Sequence, residues 1–175
     1  MPSKSEFRRR VADMPVQGED DPFLARWLEP EKILCDVQAS EMASLFDLAA
    51  REIGRLHGLD PGPVSRALSR REQAESTALG GGFAIPHARI AGIEEPLTLL
   101  IRLDSGIEFN APDAVPVDLF LFIMVPLGDQ HAHLQLLAVM AQLFSDRRFR
   151  LDLDAASGAA AIADVLKWGI ARIAS

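Results

Sequence analysis

The chain of 175 residues is predicted to fold as a single α/β domain, a mixed β-sheet flanked by helices on both sides. Three observations predict it. Strand-like and helix-period segments alternate in the first part of the chain. Two nearly continuous apolar runs in the middle, LTLLIRLD and VDLFLFIMVP, suit strands covered on both faces. The length allows one domain with a sizeable core and is too short for two comfortable ones.

Residues 1–26 are polar, charged and interrupted by Pro2, Pro15 and Pro22. They are expected to form a flexible N-terminal arm ahead of a domain over 27–175. KILCDV is short, apolar and partly β-branched, which predicts a strand. Ser40 is placed to cap the helix that follows. There Met42, Leu45, Phe46, Ala49, Ile53 and Leu56 recur at the helical period, and Gly58 supplies a stop. Asp60 followed by Pro61 marks a second helix start. Val64, Ala67 and Leu68 give that helix an inner face, and it ends near SRREQ.

The glycines from Gly80 to Gly82 read as a loop. FAIPH reads as a brief extended segment, because Pro86 biases Ile85 away from helix. SGIEFNAPDAV, between the two apolar runs, carries turn residues and is predicted to be a loop. A further helix starts near His131, with Leu134, Leu137, Ala138, Ala141 and Phe144 as its apolar stripe. DRRFRLDL is a charged connection or a short helix, and SGAAAIADVLKWGIARIA is an Ala-rich terminal helix.

The totals exclude several functions. A net charge of -7 argues against nucleic-acid binding, which relies on Lys and Arg neutralising phosphates. It suits a partner with a basic surface. Cys35 is the only cysteine, so no internal disulfide and no Cys-rich zinc site forms. The opening residues lack the apolar core of a secretory signal, and the longest apolar run is too short to span a bilayer. A cytoplasmic location without membrane insertion is expected.

Four histidines are present. His57 stands beside Gly58 and is expected to pack at the surface or, when charged, to favour the helix C-terminus. His87 lies in TALGGGFAIPHARIA, after three glycines and Pro86. Glycines let backbone N–H groups converge on an anion, so Gly80, Gly81 and Gly82 are a candidate phosphate-binding loop. No Gly-Lys-Ser/Thr follows them and the G-x-G-x-x-G spacing is absent, which excludes the two common nucleotide loops. On the loop alone, a surface turn with an incidental histidine is an equal alternative. His131 and His133 are about 200° apart if helical, and periodicity does not choose between them.

No H-x-x-x-H, H-E-x-x-H or G-x-S-x-G occurs, so neither a metal site nor a serine hydrolase is expected. The remaining chemistry is His87 as a nucleophile toward a phosphoryl group. Convergent N–H groups, a second imidazole and a guanidinium are the means of holding its three oxygens.

RREQAESTALGGGFAIPHARI, from Arg70 to Ile90, resembles the active-site segment of type-2 enzyme IIA domains. These belong to the bacterial phosphoenolpyruvate-dependent phosphotransferase system (PTS), in its fructose, mannitol and nitrogen-regulatory branches. The likeness lies in Arg71-Glu72, Ser76-Thr77, the glycine turn and Ala84-Ile85-Pro86-His87. VDLFLFIMVPLGDQHAHLQLLAVMAQLF resembles the family's strand and His-Leu helix, which places His133, followed by Leu134, at the second-histidine position. LEPEKILCDVQASEMASLFDLAAREI resembles its opening strand and helix, so the likeness runs from about Trp27 to Ile173.

The resemblance implies a phosphoryl carrier. An HPr-type phosphocarrier donates from its own histidine to His87, on Nε2, with Arg71 and His133 stabilising the phosphate. Thr77 offers its hydroxyl to the imidazole or to a phosphate oxygen, with a turn-stabilising hydroxyl as the equal alternative. No cofactor and no metal is implied. The group then passes to a IIB domain, or the phosphorylation state regulates a target protein. A stand-alone chain of this length favours the nitrogen-regulatory branch. The alternatives are a sugar-specific fructose- or mannitol-type enzyme IIA feeding a separate IIB, and a non-catalytic binding module on the same fold. Ala78 stands where the family commonly has glycine, and three glycines replace its usual Gly-Asn-Gly, so the shape of the cradle is open. Phe83 is expected beside a shallow exposed site, and Arg89 as a solvated charge.

Overall fold

The computed structural model describes residues 29–128 and 131–174, with side chains described for 29–128 and 137–172. The arm expected over 1–26 lies outside the described residues. The chain divides into two compact units, Glu31–Asp129 and one that holds the C-terminal helices.

The first unit is built on a mixed sheet. Its elements are β1 (Ile33–Val37), α1 (Met42–His57), α2 (Pro61–Ala74), β2 (Ala78–Gly80), β3 (Phe83–Ala84), β4 (His87–Ile90), β5 (Leu97–Ile107) and β6 (Val117–Pro126). Strand order is β1-β5-β6-β3-β2, with β4 also paired to β6. β1 runs parallel to β5, β5 antiparallel to β6, and β3 and β4 both parallel to β6. The expected mixed α/β sheet is therefore present.

Local chemistry sets the helix ends. Asp60 accepts from Gly62 N–H at 2.9 Å, with Pro61 at the first helical position. Gly58 ends α1 in the left-handed region, at φ 69°. Ser40 is not the cap of α1. The N-cap is Glu41, whose extended backbone begins the helix one residue later, and Ser44 Oγ donates to its carbonyl at 2.8 Å.

Leu45, Phe46, Ala49 and Ile53 of α1 and Val64 and Leu68 of α2 pack on Leu99 and Ile101 of β5 and Phe120, Phe122 and Met124 of β6. Phe46 meets Phe109 and Phe122 edge-on, each with centroids 6.0 Å apart. Each fully buried ring contributes about 1.5–3 kcal/mol. Leu121, Ile123 and Val125 alternate with that set and are equally buried, so β6 has no wet face from Leu119 to Val125. This is what the continuous apolar run predicts.

Two segments depart from expectation. The chain around the glycines is not all loop: β2 pairs antiparallel with β3. β5 runs on through Ser105 and Gly106 to Ile107, by slipping register on β6 between Arg102 and Ile107.

β3 and β4 follow β6 in one register, with Phe83 opposite Leu119 and His87 opposite Ile123. They form one path interrupted at Ile85 and Pro86. Pro86 has no N–H for the ladder, and Ile85 gives its N–H to the Thr77 carbonyl at 3.1 Å. The Pro86 carbonyl still accepts from Ile123 N–H at 3.0 Å. This interruption places His87 at the start of β4.

The second unit contains α3 (His131–Ser145), α4 (Arg147–Ala155) and α5 (Gly158–Ala174). Leu143, Phe144, Phe149, Leu153, Ile162 and Leu166 are buried, and Phe144 meets Phe149 edge-on at 5.2 Å. The charged segment is a helix because Asp146 caps it, accepting from Arg148 and Phe149 N–H. Those two bonds hold the Asp146 carboxyl below its usual pKa. In the α3 stripe Ala138 and Phe144 are buried and Leu137 and Ala141 half-buried. Leu134 lies outside the described side chains.

Candidate active site

α2 carries two site residues on its inner face. Glu72 follows Val64 and Leu68 at four-residue steps, and Arg71 follows Ala67. Arg71 therefore continues the stripe. Its Nη1 donates to the Glu75 carbonyl at 2.8 Å, and its Nε donates to His87 Nε2 at 3.1 Å.

His87 is half-buried. Its Nδ1 lies 2.8 Å from the Ile85 carbonyl. A guanidinium only donates and a carbonyl only accepts. These two contacts together assign the proton to Nδ1 and the lone pair to Nε2. The ring is thus a neutral imidazole with its nucleophilic nitrogen against a cation. The two residues that the sequence singled out for transfer and stabilisation, His87 and Arg71, are in contact.

Thr77 takes the turn-stabilising alternative. Its hydroxyl goes neither to His87 nor outward, because the side chain is buried at 6% exposure. It donates to Glu72 Oε2 at 2.6 Å, and its N–H donates to Glu72 Oε1 at 2.9 Å. A buried carboxylate must be hydrogen-bonded, and these two bonds are charge-assisted. Ser76 ties the same turn elsewhere, donating to the Phe109 carbonyl at 2.9 Å.

Gly80, Gly81 and Gly82 take φ of 87°, 64° and 79°, where a side chain is strained. At the centre of this loop Gly81 N–H donates to Asp113 Oδ2 at 2.6 Å. The anion held there is a side chain of the protein. A Cβ at Gly80 would stand 3.0 Å from Asp113 Oδ2, and one at Gly82 3.1 Å from Asp118 Oδ1. Backbone shape and close carboxylates account for the three glycines. Ala78 lies in β2 and needs no left-handed backbone.

Phe83 is 1% exposed and belongs to the buried interior, not to a surface beside the site. Arg89 is exposed, as expected. His57 also differs from expectation: its Nε2 is buried with no hydrogen-bond partner among the described residues. Burial, and then the charge of Lys32, push its pKa down. A charged contact with the end of α1 is therefore disfavoured.

The side chains of His131 and His133 lie outside the described residues. Among the described residues no group of three or more His, Cys, Asp or Glu side chains is placed to hold a metal ion. No described helix is long and apolar enough to cross a membrane.

Glu72 was missed as a site residue. The signal was present, since a carboxylate at a stripe position of an amphipathic helix must find donors when buried. Asp113 had no such signal.

The family model of the phosphoenolpyruvate-dependent sugar phosphotransferase system, EIIA 2, matches residues 26–168. The chain belongs to this family. This EIIA 2 member is 34% identical over 137 residues to the nitrogen regulatory protein of Bradyrhizobium diazoefficiens, covering 78% of this chain and 90% of that one. It is 33% identical over 122 residues to the PTS system fructose-specific EIIA component of Haloferax volcanii, covering 70% and 77%. Among solved structures it is similar to the nitrogen regulatory protein IIA-Ntr from Neisseria meningitidis. The TM-score is 0.78 at 32% identity, over 82% of this chain and 98% of that one. The resemblance carried by Arg70–Ile90 and the family fold are both borne out.

Proposed function

We propose that this protein is a cytoplasmic phosphotransferase component. It accepts a phosphoryl group from an HPr-type phosphohistidine carrier onto His87 and acts in the nitrogen-regulatory branch of the PTS. One observation carries the reading: His87 Nε2 is unprotonated and faces the Arg71 guanidinium. In the transfer the donor's N–P bond breaks as the bond from Nε2 to phosphorus forms. The electron pair returns to the donor imidazole, and the proton of His87 stays on Nδ1, donated to the Ile85 carbonyl.

Arg71 Nε–H moves from the lone pair to a phosphoryl oxygen, while the Glu75 carbonyl keeps the guanidinium in place. His133 is proposed as a second donor to the phosphoryl oxygens. Catalysis is then mostly positioning and preorganised charge. Both partners are imidazoles, so the step requires no metal. Thr77 acts through Glu72 and not on the phosphate, and Gly80, Gly81 and Gly82 shape the hairpin. Residues 27–175 are proposed as the functional domain, with 1–26 outside it.

The broader coverage by the nitrogen regulatory relative, 78% against 70% of this chain, supports the regulatory branch. The fructose-specific relative supports a second reading, onward transfer to a separate IIB domain.

Incubation with phosphoenolpyruvate, enzyme I and an HPr-type carrier tests both. An acid-labile, base-stable mass increase, absent in His87→Ala, is expected. No increase with any carrier would leave a binding module on this fold. Transfer from the phosphorylated protein to a IIB cysteine would decide for the second reading.

A further inference from the structure

We propose that Glu72 is a positioning residue for His87, acting through Thr77 and the Ile85 peptide. The proposal rests on the phosphoryl-carrier reading for its consequence, and on geometry for its substance. The hydrogen bonds form a closed circuit. Glu72 takes both donors of Thr77. The Thr77 carbonyl takes Ile85 N–H. The Ile85 carbonyl faces His87 Nδ1. His87 Nε2 takes Arg71 Nε–H, and Arg71 is peptide-bonded to Glu72.

Each link restricts the next. Glu72 is the one carboxylate among the buried polar side chains described, and an ionised carboxylate offers acceptors only. It satisfies the N–H and the O–H of Thr77 at once. That fixes the Thr77 peptide at the exit of α2, and so the direction of its carbonyl. Pro86 confines Ile85 to extended geometry, so anchoring Ile85 N–H also aims its carbonyl. The aimed carbonyl selects the tautomer with hydrogen on Nδ1 and leaves Nε2 as nucleophile. Partners one bond removed from a reacting group act in this way elsewhere, by orienting the ring that reacts.

The test reads the imidazole itself. Nitrogen-15 NMR of His87 should show the Nδ1–H tautomer in the wild type and a mixture in Glu72→Ala. Phosphoryl uptake per folded molecule should fall about 10- to 100-fold in that variant. Glu72→Gln should restore both, because the Thr77 hydroxyl can turn and accept from the new amide. If Glu72→Ala does not fold, Thr77→Val decides, since it keeps the N–H bond and loses only the hydroxyl link. It should shift the tautomer and slow uptake in part, and Thr77→Ser should not.

A folded Glu72→Ala, or in its place Thr77→Val, with wild-type tautomer and uptake would overturn the proposal and leave Glu72 a structural residue. The tautomer is read without phosphorylation. A wild-type protein that takes up no phosphoryl group therefore sinks the carrier reading alone.

Discussion

Arg71 Nε stands 3.1 Å from His87 Nε2 and donates to it. A permanent cation thus faces the nitrogen proposed to carry a phosphoryl group. Arg71→Ala removes this donor together with the bond to the Glu75 carbonyl. Phosphoryl acceptance should fall about 10²- to 10³-fold, the usual effect of one lost preorganised donor. Arg71→Lys should recover only part, because a point charge does not serve two acceptors in a fixed fork. Stopped-flow transfer from the carrier measures both, and wild-type rates in the alanine variant would remove Arg71 from the site.

His133→Ala should still accept the group but hand it on more slowly, by about 10²-fold if it supplies one donor. His131→Ala should differ from wild type by about twofold at most, since two residues apart on a helix means about 200° around the axis. Rapid-quench assays of onward transfer separate the two. Exchanged results would mean that the other histidine faces the phosphate.

Gly54→Ala should destabilise the protein although alanine is the better helix former. Propensity alone favours the change by about 1 kcal/mol. A Cβ at Gly54, however, would stand 2.6 Å from the Leu59 carbonyl oxygen, part of the turn whose N–H donates to the Gly54 carbonyl. A net loss of about 1–3 kcal/mol is expected from overpacking against backbone, read by urea denaturation. A gain would show that the turn between α1 and α2 yields freely.

His57 should make stability depend on pH. Its folded pKa lies below the ordinary value of 6.5, so the unfolded chain binds the proton more readily. The stabilising contribution is complete above the unfolded pKa and is lost as pH falls through the folded one. The thermal midpoint should decline as pH falls through and below the ordinary histidine value of 6.5, and less so in His57→Gln. Equal slopes in the two proteins would point to another group.

Much of the fold was legible because its causes are local. Asp60 with Pro61, Gly58, and the unbroken apolar runs of β5 and β6 each act within one element. The site segment was legible too, because Arg71, Thr77 and His87 all fall within Arg70–Ile90. Thr77 shows the limit of that reading. Its presence near the site was visible, but its partner was not, since a hydroxyl bonds whichever acceptor the fold brings to it.

Phe83 shows the same limit for apolar groups. It sits beside three glycines in sequence, yet its register opposite Leu119 puts it inside. Asp113 reaches Gly81 from 32 residues away, and no spacing rule anticipates such a pair.

By itself the chain's sequence determined the family, the mixed α/β class, most helix and strand positions and the candidate histidine, His87. Only the tertiary structure decided which nitrogen of His87 carries the proton, what the buried Glu72 holds, and that a carboxylate occupies the glycine turn. The physical reason is range. Propensity and periodicity act over a few neighbours, whereas a tautomer and a buried hydrogen bond depend on groups that meet only when α2, the hairpin and β4 close on one another.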